Sequence, residues 1–343
     1  MLALRKLSAE AGPLSLAEVP MPVPCGGEAR IAVTAAGLCG TDFHILDGDY
    51  LSRPPVTLGH EVAGIVDCVG PGVDDAWIGA LVATETAYST CRTCRWCRTG
   101  KPMLCAERRS IGSMVDGGFA THLVVPVANL HRIPGWVGEH AAALAEPLAC
   151  VCNAVLDPNA INPGDRVVIV GAGAVGILAC QVARAAGARA LLLGLESDID
   201  RLAVAMSLGF EVCRIERSED RARLDDEVLR REIDVVIECS GNDRGIATAL
   251  GALRPQGRLI QMGLISGDVT IPYGETVIRE LCLRAAIGGS PAAWLRVEKL
   301  LEARLVDPRP LVTKVVPLRE WPMAFERFER REGIKTLFDP RLP

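Results

Sequence analysis

The sequence predicts an α/β fold in which a doubly wound parallel sheet is inserted within a second, β-rich domain. Its 343 residues exceed what a single hydrophobic core usually serves, so two domains are expected. Hydrophobic residues make up 49% of the chain and aromatic residues only 4%, which favours an aliphatic α/β protein over an all-β sandwich. After a turn at residues 162–165, short β-branched runs alternate with helical segments, as they do in such a sheet.

The sheet domain begins with a continuous β-branched run at 167–170, which is typical of a parallel strand buried on both faces. A glycine-rich turn follows, and the next helix is predicted over 177–186. Further strands are predicted at 190–193, 212–215, 235–237, 258–262 and 281–286. The other helices are predicted at 199–208, 225–231 and 244–253. This alternation implies about six parallel strands.

The flanking sequence has a different character, with short apolar runs such as 29–33 broken by Gly and Pro. Such runs predict a β-rich, irregular domain, and the same character returns near the end of the chain. We therefore predict a first domain over 1–152 with a cysteine-rich lobe at about 88–106. The sheet domain is predicted over 153–287, and the chain returns to the first domain over 288–343.

The glycine-rich turn has the spacing G-x-G-x-x-G between a predicted strand and a predicted helix. Gly171 makes the tight turn, Gly173 lets backbone amides approach a pyrophosphate, and Gly176 lets the helix pack on the strand. Ala174 and Val175 lie between these glycines and belong to the same predicted site. The turn predicts a bound dinucleotide.

The acidic residue that should bind the adenosine ribose is less evident, because Gly194 and Leu195 occupy its expected place after the second strand. Glu196 is the candidate, and it comes 20 residues after Gly176. Alternatively, Glu196 is a solvated loop residue. Only Arg201, in the following helix, is a nearby base for a 2′-phosphate, so the sequence favours NAD while leaving NADP possible.

Four cysteines follow the spacing C-x2-C-x2-C-x7-C, namely Cys91, Cys94, Cys97 and Cys105. Zinc binds four thiolates tetrahedrally at such short spacing, and cationic neighbours such as Arg95 favour the thiolate form. The alternatives are a redox pair, chance clustering of the cysteines and a nucleic-acid-binding zinc ribbon, but the net charge of −5 argues against the ribbon. We predict a closed, structural zinc site.

A second set of metal ligands, Cys39 with His60 and Glu61, precedes this lobe. A thiolate, an imidazole and a carboxylate around zinc leave one position open, which indicates a catalytic site. Asp42 is expected to accept a hydrogen bond from the far nitrogen of His60. Three other histidines are interpreted as ordinary loop residues: His122, His131 and His140.

These motifs resemble those of the zinc-containing medium-chain dehydrogenase/reductase family, which includes alcohol, sorbitol and threonine dehydrogenases. The resemblance covers nearly the whole chain and is carried by residues 37–44, 59–61, 91–105 and 171–176. It implies a GroES-like catalytic domain built from both ends of the chain around a Rossmann domain. It also implies two zinc ions per chain and a homodimer or homotetramer.

The resemblance implies that Cys39 and His60 bind the catalytic zinc and that Glu61 is a ligand or an exchanging near-ligand. A later glutamate, followed by proline, serves the polyol and threonine branches, and Glu146 matches it. The resemblance therefore favours a polyol or amino-alcohol substrate. The chain departs from the family at Gly194, where NAD-using members usually have aspartate.

The expected reaction is reversible oxidation of a secondary alcohol to a ketone, with zinc as Lewis acid and a nicotinamide as hydride acceptor. Thr41 is expected to accept the hydroxyl proton and pass it through the cofactor ribose to His44, which releases it to solvent. In the simpler interpretation, Thr41 caps a turn and His44 is merely exposed. Two other classes stay open, a zinc-independent NADPH-dependent reductase of the same fold and a non-catalytic binding protein.

Charge and hydropathy predict a cytoplasmic protein, and the family resemblance implies that its partner is a small alcohol or ketone. No long run of like charge predicts a nucleic-acid partner. No apolar stretch has the length expected of a signal peptide or a membrane span. The 13 cysteines are odd in number and mostly single in apolar surroundings, so buried thiols are expected rather than disulfides.

Overall fold

The structure is a computed structural model that describes residues 1–8, 10, 12, 14–157 and 159–343. The chain forms two compact units. Unit 1 comprises Met1–Ala149, Gly289–Ala303 and Asp307–Pro343. Unit 2 comprises Cys150–Gly288 and Arg304–Val306. Unit 2 therefore lies between segments of unit 1 along the sequence, and the predicted α/β class with an inserted parallel-sheet domain is confirmed.

The bounds of the regular elements are as follows. The strands are β1 (Leu2–Lys6), β2 (Leu14–Glu18), β3 (Glu28–Gly37), β4 (Val56–Thr57), β5 (Glu61–Val69), β6 (Leu81–Thr84), β7 (Ala87–Ser89), β8 (Arg109–Ser110), β9 (His122–Pro126), β10 (Leu130–Arg132), β11 (Arg166–Val170), β12 (Arg189–Gly194), β13 (Glu211–Arg214), β14 (Val235–Glu238), β15 (Arg258–Gln261), β16 (Cys282–Ala285), β17 (Val312–Val316) and β18 (Lys335–Phe338). The α-helices are α1 (Gly40–Asp47), α2 (Arg95–Arg98), α3 (Ala145–Val155), α4 (Ala174–Ala185), α5 (Ile199–Ser207), α6 (Ser218–Leu229), α7 (Asp243–Ala252), α8 (Tyr273–Ile278), α9 (Pro291–Glu302) and α10 (Trp321–Glu329).

Unit 1 is built on a seven-stranded sheet with the order β10-β6-β5-β3-β18-β17, in which β9 also pairs with β3. Its core consists of aliphatic side chains together with the buried rings of Phe119, Phe325 and Phe338. The rings of Phe119 and Phe338 meet edge to face with centroids 4.8 Å apart. Strand β3 lies in the middle of this sheet and pairs with both β5 and β18. The end of β3 thereby lies beside the start of β5 and the start of β18, at the same end of the sheet.

Unit 2 contains a six-stranded parallel sheet with the order β13-β12-β11-β14-β15-β16. This order is that of the doubly wound dinucleotide-binding fold. Every residue of β11 is buried, as the continuous β-branched run predicts. The first half of the sheet is β11 to β13 and the second half is β14 to β16.

Two helices of unit 2 begin earlier than the hydrophobic pattern predicts. Helix α4 begins at Ala174 rather than at residue 177, because its first turn lies within the glycine motif itself. Helix α6 begins at Ser218 rather than at residue 225. Among its residues only Leu224 is buried, so apolar periodicity is a poor guide to where it starts. The useful signal is the pair of acidic residues in its first turn, Glu219 and Asp220, which suit the positive end of a helix.

None of the helices in the described part of the chain is both long enough and apolar enough to cross a membrane. All 13 cysteines lie within the described residues, and none of them forms a disulfide.

His131 is not the ordinary loop histidine that the sequence predicts. It lies on β10 and is buried, with Nδ1 2.8 Å from Glu298 Oε1 and Nε2 3.2 Å from Glu85 Oε1. Its ring also stacks on Trp294, with centroids 4.6 Å apart. Burial lowers the pKa of His131, but the two carboxylates outweigh burial and raise its pKa above the ordinary value.

This raised pKa makes the stability of unit 1 depend on pH. Since folding favours the protonated ring, the contribution of His131 is complete below its unfolded pKa of about 6.5 and is lost as pH rises through the higher folded value. The loss of melting temperature caused by His131→Gln should therefore be larger at acidic than at alkaline pH. Thermal unfolding of both proteins across this range measures the difference. A loss of melting temperature that is equal at all pH values would show that the pKa of His131 is not raised by folding.

Candidate metal centres and dinucleotide site

Sheet register brings the first set of ligands together. Strand β3 ends at Gly37, which pairs with Glu61 at the start of β5. Cys39 follows the end of β3, and His60 directly precedes β5. One donor atom from each of Cys39, His60 and Glu61 lies within 4.8 Å of the others. A side chain at position 37 would fill this space, since a Cβ there would lie 2.0 Å from Glu61 Oε2.

Asp42 orients the imidazole of His60. Its side chain is 0% exposed, and its Oδ2 accepts a hydrogen bond from the backbone N–H of Cys39 at 3.0 Å. The other oxygen, Oδ1, lies 3.6 Å from His60 Nδ1 and has no hydrogen-bond partner among the described residues. A buried carboxylate that faces the far nitrogen of a histidine is the usual support of a metal-binding imidazole. This geometry leaves Nε2 of His60 for a metal ion.

The electrostatics of this cluster favour positive charge. Burial opposes protonation of His60, but the Asp42 carboxylate and the Cys39 thiol outweigh it, so the pKa of His60 is raised well above its ordinary value. A soft thiolate, an imidazole and a carboxylate also match the donor preferences of zinc. The residues present therefore fit a bound zinc ion.

Lys335 belongs to this cluster, and the sequence analysis missed it. Its Nζ donates hydrogen bonds to both carboxylate oxygens of Glu61 at 2.8 Å and to the carbonyl of Leu38 at 3.0 Å. Lys335 is only 6% exposed and Glu61 only 2%. Burial lowers the pKa of Lys335, but the charges of Glu61 and Cys39 outweigh burial and raise it. The pair holds the Glu61 carboxylate in place beside Cys39 and His60.

The pair joins residues 274 positions apart in sequence, and only the sheet order β5-β3-β18 connects them. The available signal is a single lysine within an otherwise uncharged, buried strand, β18. Charged residues are almost never fully buried unless they are paired.

Glu146 lies in the first turn of α3 and is buried. Its charge contributes to the raised pKa of Lys335, so it lies in the surroundings of the same cluster. Among the described residues, however, the group whose donor atoms all lie within 4.8 Å of one another contains Glu61 and not Glu146. Metal binding by Glu146 stays a prediction.

The two residues of the predicted proton relay both lie on α1. The Oγ1 of Thr41 is 3.7 Å from the Sγ of Cys39, and both side chains are half-buried. His44 follows three residues later, so it shares a helix face with Thr41. Helix α1 ends at Asp47, and the φ of 85° at the following residue, Gly48, closes the helix. The relay itself stays a prediction.

The four-cysteine lobe has the dimensions of a zinc site. The Sγ atoms of Cys91, Cys94, Cys97 and Cys105 all lie within 4.8 Å of one another. Individual pairs are 3.5 Å (91–105), 3.6 Å (94–97) and 3.9 Å (91–97) apart. A tetrahedron with Zn–S bonds of about 2.3 Å requires S–S distances of about 3.8 Å, whereas a disulfide requires about 2.0 Å.

Backbone donors already favour a thiolate in this lobe. The N–H of Cys94 lies 3.3 Å from the Sγ of Cys91, and this contact, together with that from Thr93, lowers the pKa of Cys91 to about 6. The lobe is therefore preorganised to bind a cation.

The glycine turn of unit 2 has the three roles that its spacing predicts. Gly171 has φ 109°, and a Cβ there would lie 3.0 Å from the backbone nitrogen of Ser240. A Cβ at Gly176 would lie 2.0 Å from the carbonyl oxygen of Gly171, so only glycine lets α4 pack this closely. At Gly173 a Cβ would meet nothing within 4 Å, which leaves room for a phosphate.

The glycine at the end of β12 has a steric reason. A Cβ at Gly194 would lie 3.0 Å from Leu202 and 3.3 Å from Ala172, so a longer side chain there would require Leu202 to move slightly. Glu196 follows and is exposed, with Oε1 3.6 Å from Nη1 of Arg214 on the neighbouring strand β13. Arg201 pairs with Asp198 at 3.2 Å. Arg214 is a second residue that the sequence analysis missed.

Two family models match the chain. The alcohol dehydrogenase GroES-like domain matches residues 26–135, and the zinc-binding dehydrogenase domain matches residues 174–303. The matches cover Cys39, His60 and the cysteine lobe in unit 1, and the helix that follows the glycine turn in unit 2.

Curated proteins and solved structures agree with these matches. The chain is 34% identical to a sorbitol dehydrogenase of Halalkalibacterium halodurans, over 99% of both chains. It is 30% identical to an L-threonine 3-dehydrogenase of an Anaeromyxobacter species, again over 99% of both. A zinc-binding dehydrogenase structure from Sinorhizobium meliloti, bound to NADP, superposes with a TM-score of 0.86 at 29% identity, covering 99% of each chain.

The predicted family, enzyme class and requirement for zinc and a nicotinamide cofactor are thereby confirmed. This chain belongs to the zinc-dependent alcohol dehydrogenases of the medium-chain dehydrogenase/reductase family.

Proposed function

We propose that this protein oxidises a secondary alcohol of the polyol or amino-alcohol type reversibly to a ketone and transfers the hydride to a nicotinamide cofactor. The observation that carries the proposal is the convergence of Cys39, His60 and a buried carboxylate within 4.8 Å. The similarity to a sorbitol dehydrogenase and a threonine dehydrogenase supports the substrate class. A zinc-independent reductase would have no use for such a ligand set.

The proposed ligands of the catalytic zinc are Cys39 Sγ, His60 Nε2 and a carboxylate, from either Glu61 or Glu146. When bound, the ion supplies Lewis-acid polarisation of the substrate oxygen. Asp42 keeps the His60 imidazole in the tautomer that carries its proton on Nδ1. Lys335 neutralises the charge of Glu61, which makes Glu61 a weaker zinc ligand. Glu146 is then the stronger candidate for the third ligand, and Glu61 is the residue that can replace it.

Thr41 and His44 are the proposed proton relay. The Oγ1 of Thr41 would accept the proton of the substrate hydroxyl while its own proton leaves towards the ribose of a bound cofactor. The imidazole of His44 would take up a proton from that ribose and release one to solvent. The closeness of Thr41 to Cys39 and the shared helix face of the two residues support these roles. Cys91, Cys94, Cys97 and Cys105 are the proposed ligands of a structural zinc, which fixes the lobe without taking part in the reaction.

The proposed cofactor site comprises the turn from Gly171 through Ala174 and Val175 to Gly176, with Glu196 at the adenosine ribose. Because Arg214 neutralises Glu196 and Arg201 is engaged by Asp198, no unpaired cation at these positions invites a 2′-phosphate, which supports NAD over NADP. The domain boundaries 1–152, 153–287 and 288–343 remain part of the proposal.

We further propose a cytoplasmic homodimer or homotetramer. Strand β16 is an edge strand, and large apolar side chains are exposed on it and on α8, including Leu283, Val277 and Ile278. An exposed apolar edge is usually covered by another chain. Since none of the 13 cysteines forms a disulfide, a reducing compartment is favoured. Light scattering of the purified protein measures the oligomeric state.

The substrate proposal is tested by absorbance at the nicotinamide band with a panel of polyols, 1,2-amino alcohols and simple secondary alcohols, each with NAD and NADP. We expect turnover with at least one polyol or amino alcohol, and a preference for NAD. If the zinc-loaded enzyme turns over only simple monohydric alcohols, the proposed substrate class is wrong.

A further inference from the structure

One buried carboxylate of unit 2, that of Glu238, has no role in the reaction described above. Glu238 is the last residue of β14, and its side chain is 0% exposed. Within the described part of the chain, no lysine or arginine forms an ion pair with it. Uncompensated buried charge is costly, so such a group persists only where other donors stabilise it.

Four neutral donors surround the carboxylate. Its Oε1 accepts hydrogen bonds from the backbone N–H of Ser240 at 2.7 Å and from the Ser240 hydroxyl. Its Oε2 accepts from the backbone N–H of Gly241 at 3.2 Å and from Nε2 of Gln261 at 2.6 Å. Gln261 is the last residue of β15. One carboxylate therefore joins the turn after β14 to the end of the neighbouring strand.

The surrounding backbone is shaped to admit this carboxylate. A Cβ at Gly245 would lie 2.6 Å from Glu238 Oε1, and a Cβ at Gly263 would lie 2.7 Å from Oε2. The same turn also lies beside the first glycine of the nucleotide turn, because a Cβ at Gly171 would lie 3.0 Å from the nitrogen of Ser240.

The position of Glu238 in the sheet indicates which half of the cofactor it affects. In a doubly wound sheet, dinucleotides bind at the carboxyl ends of the strands, and each half of the sheet receives one mononucleotide. The glycine turn follows β11, so β11 to β13 form the half that receives the adenosine mononucleotide. Strands β14 to β16 then receive the nicotinamide mononucleotide. Glu238 ends β14, the first strand of that second half.

We propose that Glu238 is a positioning residue for the nicotinamide half of the cofactor. Its carboxylate holds residues 239–241 and the end of β15 in the arrangement on which the nicotinamide mononucleotide lies. This inference rests on the proposed dinucleotide binding and adds a role for a residue that does not touch the reacting atoms.

Replacement by glutamine tests the role of the carboxylate with little change of volume. An amide offers one acceptor oxygen and one NH2 group. The NH2 group of glutamine would therefore face a backbone N–H donor, either that of Ser240 or that of Gly241. The turn after β14 or the end of β15 must then shift. The donors on both sides make the carboxylate the only side chain of this shape that satisfies all four.

Isothermal titration of the zinc-loaded enzyme with NADH and with AMP separates the two halves of the cofactor. For Glu238→Gln we expect the Kd of NADH to rise about tenfold or more, because the loss of one hydrogen bond to a charged group corresponds to a factor of about this size. The Kd of AMP should be unchanged. Glu219→Gln is the matched control, because Glu219 is exposed on α6 of the same unit. This control should bind both ligands as the parent enzyme does.

A second variant guards against loss of folding. Gln261→Leu removes one donor from the carboxylate and should raise the Kd of NADH in the same direction by a smaller factor. If NADH and AMP weaken together in both variants, or if neither ligand is affected, the positioning role is refuted. If the parent enzyme binds neither NADH nor NADPH, the proposed function itself is wrong, which is a distinguishable outcome.

Discussion

Replacement of His60 by alanine is expected to lower kcat/KM by about 1000-fold or more. Loss of the imidazole removes a proposed zinc ligand, and the Lewis acid contributes several kcal/mol to transition-state stabilisation, at about 1.4 kcal/mol per factor of ten. Cys39→Ser should have an effect of similar size. Binding of NADH should remain close to that of the parent enzyme, because the glycine turn belongs to unit 2 and His60 to unit 1.

Asp42→Asn should have a smaller effect, about 10- to 100-fold, because Asp42 acts by orienting His60 rather than by binding the metal. His140→Ala is the matched control for His60→Ala, since His140 lies in the same unit but pairs with Asp339, at 2.9 Å. This control should keep the kcat/KM of the parent enzyme. Steady-state kinetics measure kcat/KM, and titration with NADH measures the Kd of the cofactor. Unchanged turnover in His60→Ala would contradict the assignment of the catalytic site.

Replacement of Lys335 by methionine is expected to destabilise the protein by about 3–5 kcal/mol. The change leaves the carboxylate of Glu61 buried without its cation, and breaking one side of a buried ion pair has an effect of this size. Both oxygens of Glu61 lose a donor at 2.8 Å. Urea-induced unfolding of the parent and the variant measures the free energy of unfolding.

Lys299→Met is the matched control for this change. Lys299 is 78% exposed and pairs with Glu302 at 3.4 Å, and such surface pairs contribute only about 0–1 kcal/mol. The double variant Lys335→Met with Glu61→Gln should recover much of the lost stability, since no unpaired charge then remains. A loss of under about 1 kcal/mol in Lys335→Met would show that the pair is not a buried, coupled unit.

The features that could be predicted from sequence are those whose residues lie close together along the chain. The β-branched run and the three glycines of the nucleotide turn fit within ten residues of the sequence, at 167–176, and each glycine has the steric role that its position suggests. The four cysteines likewise form a local lobe, so their spacing alone was sufficient to predict that their thiols meet.

The features that could not be predicted depend on strand order. Lys335 meets Glu61 because β18 and β5 both pair with β3, and no local pattern encodes that arrangement. Arg214 reaches Glu196 because β13 lies beside β12. The two carboxylates that bracket His131 come from segments 46 and 167 positions away. In each case, charge alone marks a residue as unusual, but only the three-dimensional register identifies its partner.

The claim on which this account depends is that Cys39 and His60 hold a metal ion separate from that of the four-cysteine lobe. Zinc content per chain, measured by mass spectrometry of the purified protein, tests it most directly. We expect about two zinc ions in the parent enzyme, and about one in the double variant Cys39→Ser with His60→Ala. A double variant that retains the full zinc content of the parent, with the lobe intact, would contradict the account.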